Sequence, residues 1–422
     1  MKSWLSALAL LLAVSLPVLA FGADTLLTNE AAVVQVLDLM DQRLGLMPAV
    51  AATKWQTHAP IAAPDRERVV IKHAGELAAP LGLAADRVEP VFEIQVRLAR
   101  ELEESLTERW QAKGFQYEGP VPDLVTQLRP QIDTVTTRLM RGLYLAAPVF
   151  QAPDFIKDYS GLASAHLHSV GWSDASRKEL LAALAGVTRT PMEDLKRVSA
   201  SGVLRVGVAG DYAPFAVDHD GVVSGADVEL AKLLAARLKV EPVFVRTSWG
   251  SLLSDLRAGD FDIAMGGVSI TPERQAAGAF SQPYATGGKT LITRCRDAAR
   301  YHDLAAVDQA KVRVVVNPGG TNEQFVRANL HKAEIHLIPD NRAIFDEIVL
   351  NRADVMITDD AEVELQTHRH PELCRPYAGT FTRSDKAVLL PKNSGLLSAV
   401  NLWLADALAA GTPAKLLSSY SR

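Results

Sequence analysis
A chain of 422 residues exceeds what one hydrophobic core usually serves and predicts at least two domains. Its 44 Lys and Arg against 49 Asp and Glu leave a formal charge of −5 with no basic cluster, which excludes a nucleic-acid partner. Two cysteines, with no histidine at ligand spacing, leave no zinc signature, and no metal is expected.

The opening MKSWLSALALLLAVSLPVLA sets Lys2 before an apolar stretch from Trp4 to Val18 and ends in small residues. That pattern is a secretory signal over residues 1–20, cleaved after Ala20, so the mature protein is expected in the periplasm with no membrane anchor. Leu143 to Phe150 is too short to span a bilayer and is interrupted by Tyr144 and Pro148. An even cysteine count in an exported chain points to one disulfide, Cys295 to Cys374.

Residues 21–190 show helical periodicity and few β-branched runs, predicting an all-α bundle. NEAAVVQVLDLMDQRLGLM forms a first helix burying Val34, Leu37, Met40 and Leu44. Arg43 and Lys54 stand eleven residues apart, about three turns, and would project from nearly one face, although Pro48 intervenes as a kink. RVEPVFEIQVRLARELEESLTERW turns Phe92, Val96 and Ala99 inward, with Gln95 and Glu103 nearby. A third helix carries Arg138 in QIDTVTTRLMRGLYL. The segment to Thr190 reads as the last helix of the bundle, since Leu180, Leu181 and Leu184 need burial.

The ordered set DQRL, VAATKWQTHAPI, DRERVV, VFEIQ with Glu103, and TTRLM resembles the secreted, gamma-subclass chorismate mutases over about Thr25 to Lys157. The resemblance implies rearrangement of chorismate to prephenate without a cofactor, and a homo-oligomer formed through this domain. Carried across, it makes Arg43, Arg66 and Arg138 the grips on two carboxylates. Lys54 and a protonated Glu103 donate to the breaking ether oxygen, an oriented-charge mechanism. Ala99, Val69 and Val70 stand where polar residues are usual, which leaves the chorismate hydroxyl without a partner.

Residues 191–422 change to strand, loop and helix units, predicting a two-lobe α/β domain. Lobe 1 is expected at about 201–291 and 387–422, and lobe 2 at about 292–386. SGVLRVGVAGDYAPFAV is a strand and a loop with Asp211, Tyr212, Pro214 and Phe215, followed by a helix with apolar Val228, Leu230, Leu233 and Leu234. A second unit brings Trp249 and a glycine-bearing loop with Ser269, Thr271 and Arg274, a set suited to gripping a carboxylate. In KVRVVVNPGGTNEQF, the strand Val312 to Val316 meets Gly319 and Gly320, and Thr321 or Asn322 can cap the next helix, whose free N–H groups bind anions. Glu323 in its first turn is either a dipole partner or aimed at the ligand.

This order resembles the periplasmic amino-acid-binding proteins and, more sharply from about Met192 onward, the cyclohexadienyl dehydratases. The residues carrying it include GDYAPF, TSW, FDIAMGGVSI, FSQPY with GGKT, VNPGGTNEQFVRANL, PDN, MITD and HPELC, while Ala226 departs from the usual aromatic residue. The resemblance implies dehydration and decarboxylation of prephenate to phenylpyruvate, or of arogenate to phenylalanine. Glu323, walled by Tyr212, Trp249 and Phe215, is then expected as a protonated general acid of raised pKa. Ser269, Thr271 and Arg274 hold the carboxylate with help from Lys289 and the Gly320 and Thr321 amides, and Asp359 meets an amino group. Lys386 reads as solvated and stays outside the set. The competing reading is a non-catalytic amino-acid-binding flytrap beside a helical bundle.

Overall fold
The computed structural model describes residues 24–190 and 192–421, so the leader expected at 1–20 lies outside the described residues. Among them no helix is long and apolar enough to cross a membrane. The helical half comprises α1 (Asn29–Gly45), α2 (Met47–Thr57), α3 (Pro64–Ala78), α4 (Ala85–Lys113), α5 (Arg129–Phe150), α6 (Phe155–His166) and α7 (Asp174–Ala185). The Thr28 hydroxyl caps α1 by accepting from Ala31 N at 3.1 Å. Pro48 sits in the first turn of α2, where its missing N–H costs nothing. Arg43 and Lys54 therefore belong to two helices broken at Leu46, not to one kinked helix.

Leu37, Met40, Phe92, Leu139, Leu143 and Leu180 form one buried core. Leu181 and Leu184 of α7 belong to it, so that helix is part of the bundle. Two expected core positions differ: Val34 is only half-buried between Val33 and Val36, and Leu233 faces solvent.

After α8 (Asp194–Ser201) the chain enters the two-lobe half. Lobe 1 contains β2 (Val203–Val208), β3 (Asp211–Tyr212), β4 (Ala216–His219), β5 (Val222–Ser224), α9 (Ala226–Leu238), β6 (Glu241–Arg246), α10 (Leu252–Ala258), β7 (Ile263–Ala264), α11 (Pro272–Ala277) and β8 (Gly278–Phe280). A strap, β9 (Ala285–Gly287), leads to lobe 2, which begins at β10 (Lys289–Arg294). Lobe 2 continues through α12 (Leu304–Val307), β11 (Arg313–Val316), α13 (Thr321–Asn329), β12 (Glu334–Leu337), α14 (Ile344–Val349), β13 (Val355–Asp359), α15 (Asp360–Arg369) and β14 (Leu373–Cys374). The return strap β15 (Ser384–Lys386) pairs antiparallel with β9, and β16 (Leu389–Pro391), α16 (Leu396–Ala409) and α17 (Thr412–Tyr420) rejoin lobe 1. Because β10 lies in the lobe 2 sheet, that lobe starts at Lys289, a little before the expected residue 292. Cys295 and Cys374 form a disulfide that ties the end of β10 to β14.

The two halves are stitched at an unexpected place. Before α1, β1 (Leu26–Leu27) pairs in parallel with β6 and forms the edge of the six-stranded lobe 1 sheet, in order β1-β6-β2-β7-β16-β8. Alternation along a strand sends its two side chains to opposite faces: Leu26 enters the lobe 1 core and Leu27 the helical core. Nearby, the guanidinium carbons of Arg189, Arg197 and Arg205 lie 4.4, 5.6 and 5.1 Å from the ring centre of Tyr144 of α5. Arg197 and Arg205 each donate to Asp262 Oδ1 at 2.6 Å, and Arg189 donates to Tyr144 O at 2.8 Å and Gly259 O at 3.0 Å. These buried cations are paired, as burial requires.

Candidate active sites
In the helical half, α2, α3 and α4 wall a cavity lined by Arg43, Lys54, Arg66, Val70, Ala99 and Glu103, with Glu67, Val96 and Arg100. Lys54 Nζ donates to Glu103 Oε2 at 2.6 Å and to Ile61 O at 3.1 Å. Burial raises the Glu103 pKa, with Lys54 opposing. Arg43 is 6% exposed and lies over the Phe92 ring at 5.5 Å, and burial pushes it down to about 10. Its Nη1 reaches Gln95 Oε1 at 3.5 Å, while Arg43 Nε and Gln95 Nε2 have no hydrogen-bond partner among the described residues. Arg43, which lines the cavity, thus holds a buried donor without a partner, while Gln95 stands behind it. Arg66 is exposed at the rim.

Arg138 is not among the lining residues: it is half-buried on α5, which packs mainly on α1 and places Asp133 near Arg43. The lining includes instead Arg100, which donates to Glu67 at 3.0 Å. Its signal was helical spacing, four residues after Val96 and three before Glu103.

The second cavity lies between the lobes. Tyr212, Trp249, Ser269 and Arg274 face it from lobe 1, and Asn317, Gly320, Thr321, Asn322, Asn341 and Asp359 from lobe 2, with Lys386 of the strap. Arg274 Nη1 donates to Ser269 O at 3.1 Å, and its guanidinium lies 5.5 Å from the Trp249 ring centre. Thr271 is not in the lining, because its hydroxyl caps α11 by accepting from Arg274 N at 3.2 Å. It positions the arginine instead of touching the ligand. Lys289 likewise stands behind the wall, its ammonium held by Thr321 Oγ1 at 2.9 Å, Asn322 Oδ1 and Asp359 Oδ1 at 2.9 Å. Two hydrogen bonds and one ion pair meet the three donors an ammonium has.

Lys386 is buried, contrary to the expectation of a solvated side chain, and donates to Ser269 Oγ and Asp359 Oδ2, each at 2.8 Å. The strap pairing and the bridge between Ser269 and Lys386 turn it inward. Tyr212 Oη also donates to Asp359 Oδ2, at 2.5 Å. Burial opposes ionisation of Asp359, but Lys386 and Lys289 overcome it and hold the carboxyl far below its usual range. Asp359 Oδ2 is thus taken by two hydrogen bonds, whereas Oδ1 faces the Lys289 ammonium at 2.9 Å as an ion pair but accepts no hydrogen bond among the described residues.

Glu323 departs from its expected role. Its carboxylate accepts from Gly319 N at 2.7 Å and Arg327 Nε at 2.8 Å, outside the cavity lining, and these bonds lower its pKa. It is an ionised helix-start carboxylate in this structure and has no proton to give. The carboxyl of most raised pKa near the cleft is Glu362, on the first turn of α15 and 2% exposed, which stands behind the cavity wall and not in its lining. Burial, with Asp359 and Asp211 adding repulsion against a bond from Thr358, raises it to about 8. Thr358 Oγ1 lies 2.5 Å from Glu362 Oε2, and Asn341 Nδ2, on the cavity wall, donates to Oε1 at 3.1 Å. The spacing of Asp359 and Glu362, one helical turn apart, was the signal in the sequence.

Residues 204–422 match the bacterial extracellular solute-binding proteins, family 3, and residues 34–104 match chorismate mutase type II. The chain belongs to the first family, which covers more than half of it, and carries a chorismate mutase domain ahead of that fold. Within the fold it is 46% identical over 227 residues to a cyclohexadienyl dehydratase of Pseudomonas aeruginosa, covering 53% of this chain and 85% of that one. It is 28% identical to the L-cystine-binding protein TcyJ of Escherichia coli over 55% of this chain and 88% of that one. A crystal structure of an ancestral amino acid-binding protein, a precursor of cyclohexadienyl dehydratase, superposes with a TM-score of 0.51 at 33% identity, covering 55% of this chain and all of that one. A chorismate mutase type II domain thus precedes a region that is similar to a cyclohexadienyl dehydratase over 85% of that protein.

Proposed function
We propose that the protein performs two consecutive steps toward phenylalanine: chorismate to prephenate in the helical half, then prephenate to phenylpyruvate between the lobes. In the first, Arg43 and Arg66 grip the carboxylates while Lys54 and protonated Glu103 face the ether oxygen as its C–O bond breaks. In the second, Arg274, Ser269 and the N–H groups opening α13 hold the pyruvyl carboxylate. Glu362 protonates the departing hydroxyl, the ring carboxylate leaves as carbon dioxide, and its bonding pair completes the aromatic ring.

One observation carries the catalytic reading over a passive amino-acid receptor. A receptor offers a carboxylate free of cations to an ammonium group, whereas here Lys386 and Tyr212 hydrogen-bond one Asp359 oxygen, the Lys289 ammonium lies 2.9 Å from the other, and the buried Glu362 carboxyl stands one turn on with its pKa raised. The same occupancy favours prephenate, a dianion, over arogenate with its amino group. Export to the periplasm through a signal at residues 1–20 fits a family described as extracellular.

Chorismate added to purified protein is expected to yield phenylpyruvate, and Glu362→Gln to stop the sequence at prephenate with prephenate still bound. Full phenylpyruvate formation by Glu362→Gln would remove Glu362 from the mechanism. Binding of substrate without any turnover by the parent protein would restore the receptor reading.

A further inference from the structure
Prephenate enters the reaction as a dianion and leaves as the phenylpyruvate monoanion, carbon dioxide and water. One proton is thus consumed in every turnover, and it leaves Glu362 as a carboxylate enclosed by protein. On the substrate side the groups are Tyr212, Arg274 and Lys386, with Asp359 held ionised by Lys386 and Lys289, and none is a carboxylic acid or an imidazole.

The other side of Glu362 is different. A second cavity of about 140 Å³ reaches it, separate from the substrate cavity and sharing only Asn341 with it. Ala213 and Val217 line it from lobe 1 and Gln366 from the next turn of α15. His219, at the exposed end of β4, and His370, just past α15, complete its lining. The space is large enough to hold several waters. The charged groups facing Glu362 from its surroundings are Asp359 and Lys289 on the substrate side and Asp211, Arg342 and Arg369 around this cavity. Beside them the opening carries two imidazoles, the side chain most used to pass protons between protein and solvent.

We propose that this second cavity is the proton-supply route of the dehydratase, with His219 and His370 reprotonating Glu362 through it after each turnover. In each transfer an imidazolium N–H bond breaks, a water chain relays the proton, and an O–H bond forms on the Glu362 carboxylate. The neutral imidazole then recovers its proton from solvent. This inference rests on Glu362 being the acid.

The test is a rapid-mixing and steady-state comparison of the full chain with His219→Gln/His370→Gln, using prephenate in dilute buffer at pH 7. The double variant should form its first equivalent of phenylpyruvate at the parent rate, because Glu362 begins protonated. Later turnovers should slow ~10-fold or more, and added imidazole should restore them. Steady-state turnover equal to the parent, or a slowed first turnover that imidazole does not rescue, would overturn the route. Glu362→Gln run alongside separates the two claims: full activity there defeats the acid assignment itself, whereas its inactivity beside an unaffected double variant defeats only the route.

Discussion

Leu26→Ala tests whether the mutase and dehydratase halves fold as one body. Leu26 is 2% exposed in the lobe 1 core, and its neighbour Leu27 is 8% exposed in the helical core. A buried Leu→Ala change costs ~2–5 kcal/mol. A central loss of ~3 kcal/mol, spread over one cooperative unit of about 400 residues at roughly 2.1 cal/mol/K each, lowers the melting temperature by only roughly 3–4 °C. The two leucines are adjacent on one strand that pairs with β6, so Leu26→Ala and Leu27→Ala should each destabilise both halves. The assay is a urea titration followed by chorismate mutase and prephenate dehydratase activity in parallel. Both variants are expected to move both midpoints down together. A Leu26→Ala variant that shifts the dehydratase midpoint alone, or a Leu27→Ala variant that shifts the mutase midpoint alone, would refute the single-body argument.

Lys54→Ala is expected to lower the mutase kcat by ~10² or more with a smaller change in KM, because Lys54 meets charge that develops in the transition state; chorismate kinetics check it. Lys386→Met leaves Asp359 Oδ2 with Tyr212 alone and removes a cation from the pocket, so the ratio of kcat/KM for prephenate over arogenate should fall ~10-fold or more; an unchanged ratio would show that Lys386 does not set specificity. Dehydratase turnover should fall as pH rises through about 8, where Glu362 loses its proton. The same raised carboxyl costs stability once the unfolded state can ionise, above about pH 4.3, so melting of Glu362→Gln should match the parent at low pH and exceed it increasingly toward pH 8.

The two-lobe architecture and the mutase bundle were legible because their signals are periodic and local: apolar strands ending in glycine loops, and helices with caps and apolar stripes. Glu323 and Glu362 show where local signals stop. Each lies in the first turn of a helix that follows a lobe 2 strand, and nothing within a few residues separates them. What differs is tertiary. Gly319 N–H and Arg327 stabilise one as a carboxylate, whereas burial near Asp359 and Asp211 keeps the other protonated. Lys386 was equally hidden, since a three-residue strand gains its inward face only by pairing with β9, nearly a hundred residues earlier. The two residues of β1 are too short for alternation to register, and their partner strand lies in the other half of the chain.

The stitching also decides which part of the dehydratase can move. β1 and the Tyr144 cluster attach the bundle to lobe 1, whereas lobe 2 is joined to the rest by the β9 and β15 strap and by polar contacts across the cleft. Those contacts include Tyr212 with Asp359 at 2.5 Å, Asn341 with Asp211 O at 3.0 Å, Arg342 with Asp218 O at 2.9 Å and Gln324 with Glu273 at 3.2 Å. Breaking four hydrogen bonds that water can replace costs little beside separating a shared apolar core. Opening therefore swings lobe 2, with Asp359, Lys289 and Glu362, away from a heavier body that holds Ser269, Arg274 and the whole mutase site. Closure then brings Asn341, which carries the hydrogen bond to the acid, against the cavity that holds the carboxylate grip, while the mutase site, attached to lobe 1, is expected to keep its geometry.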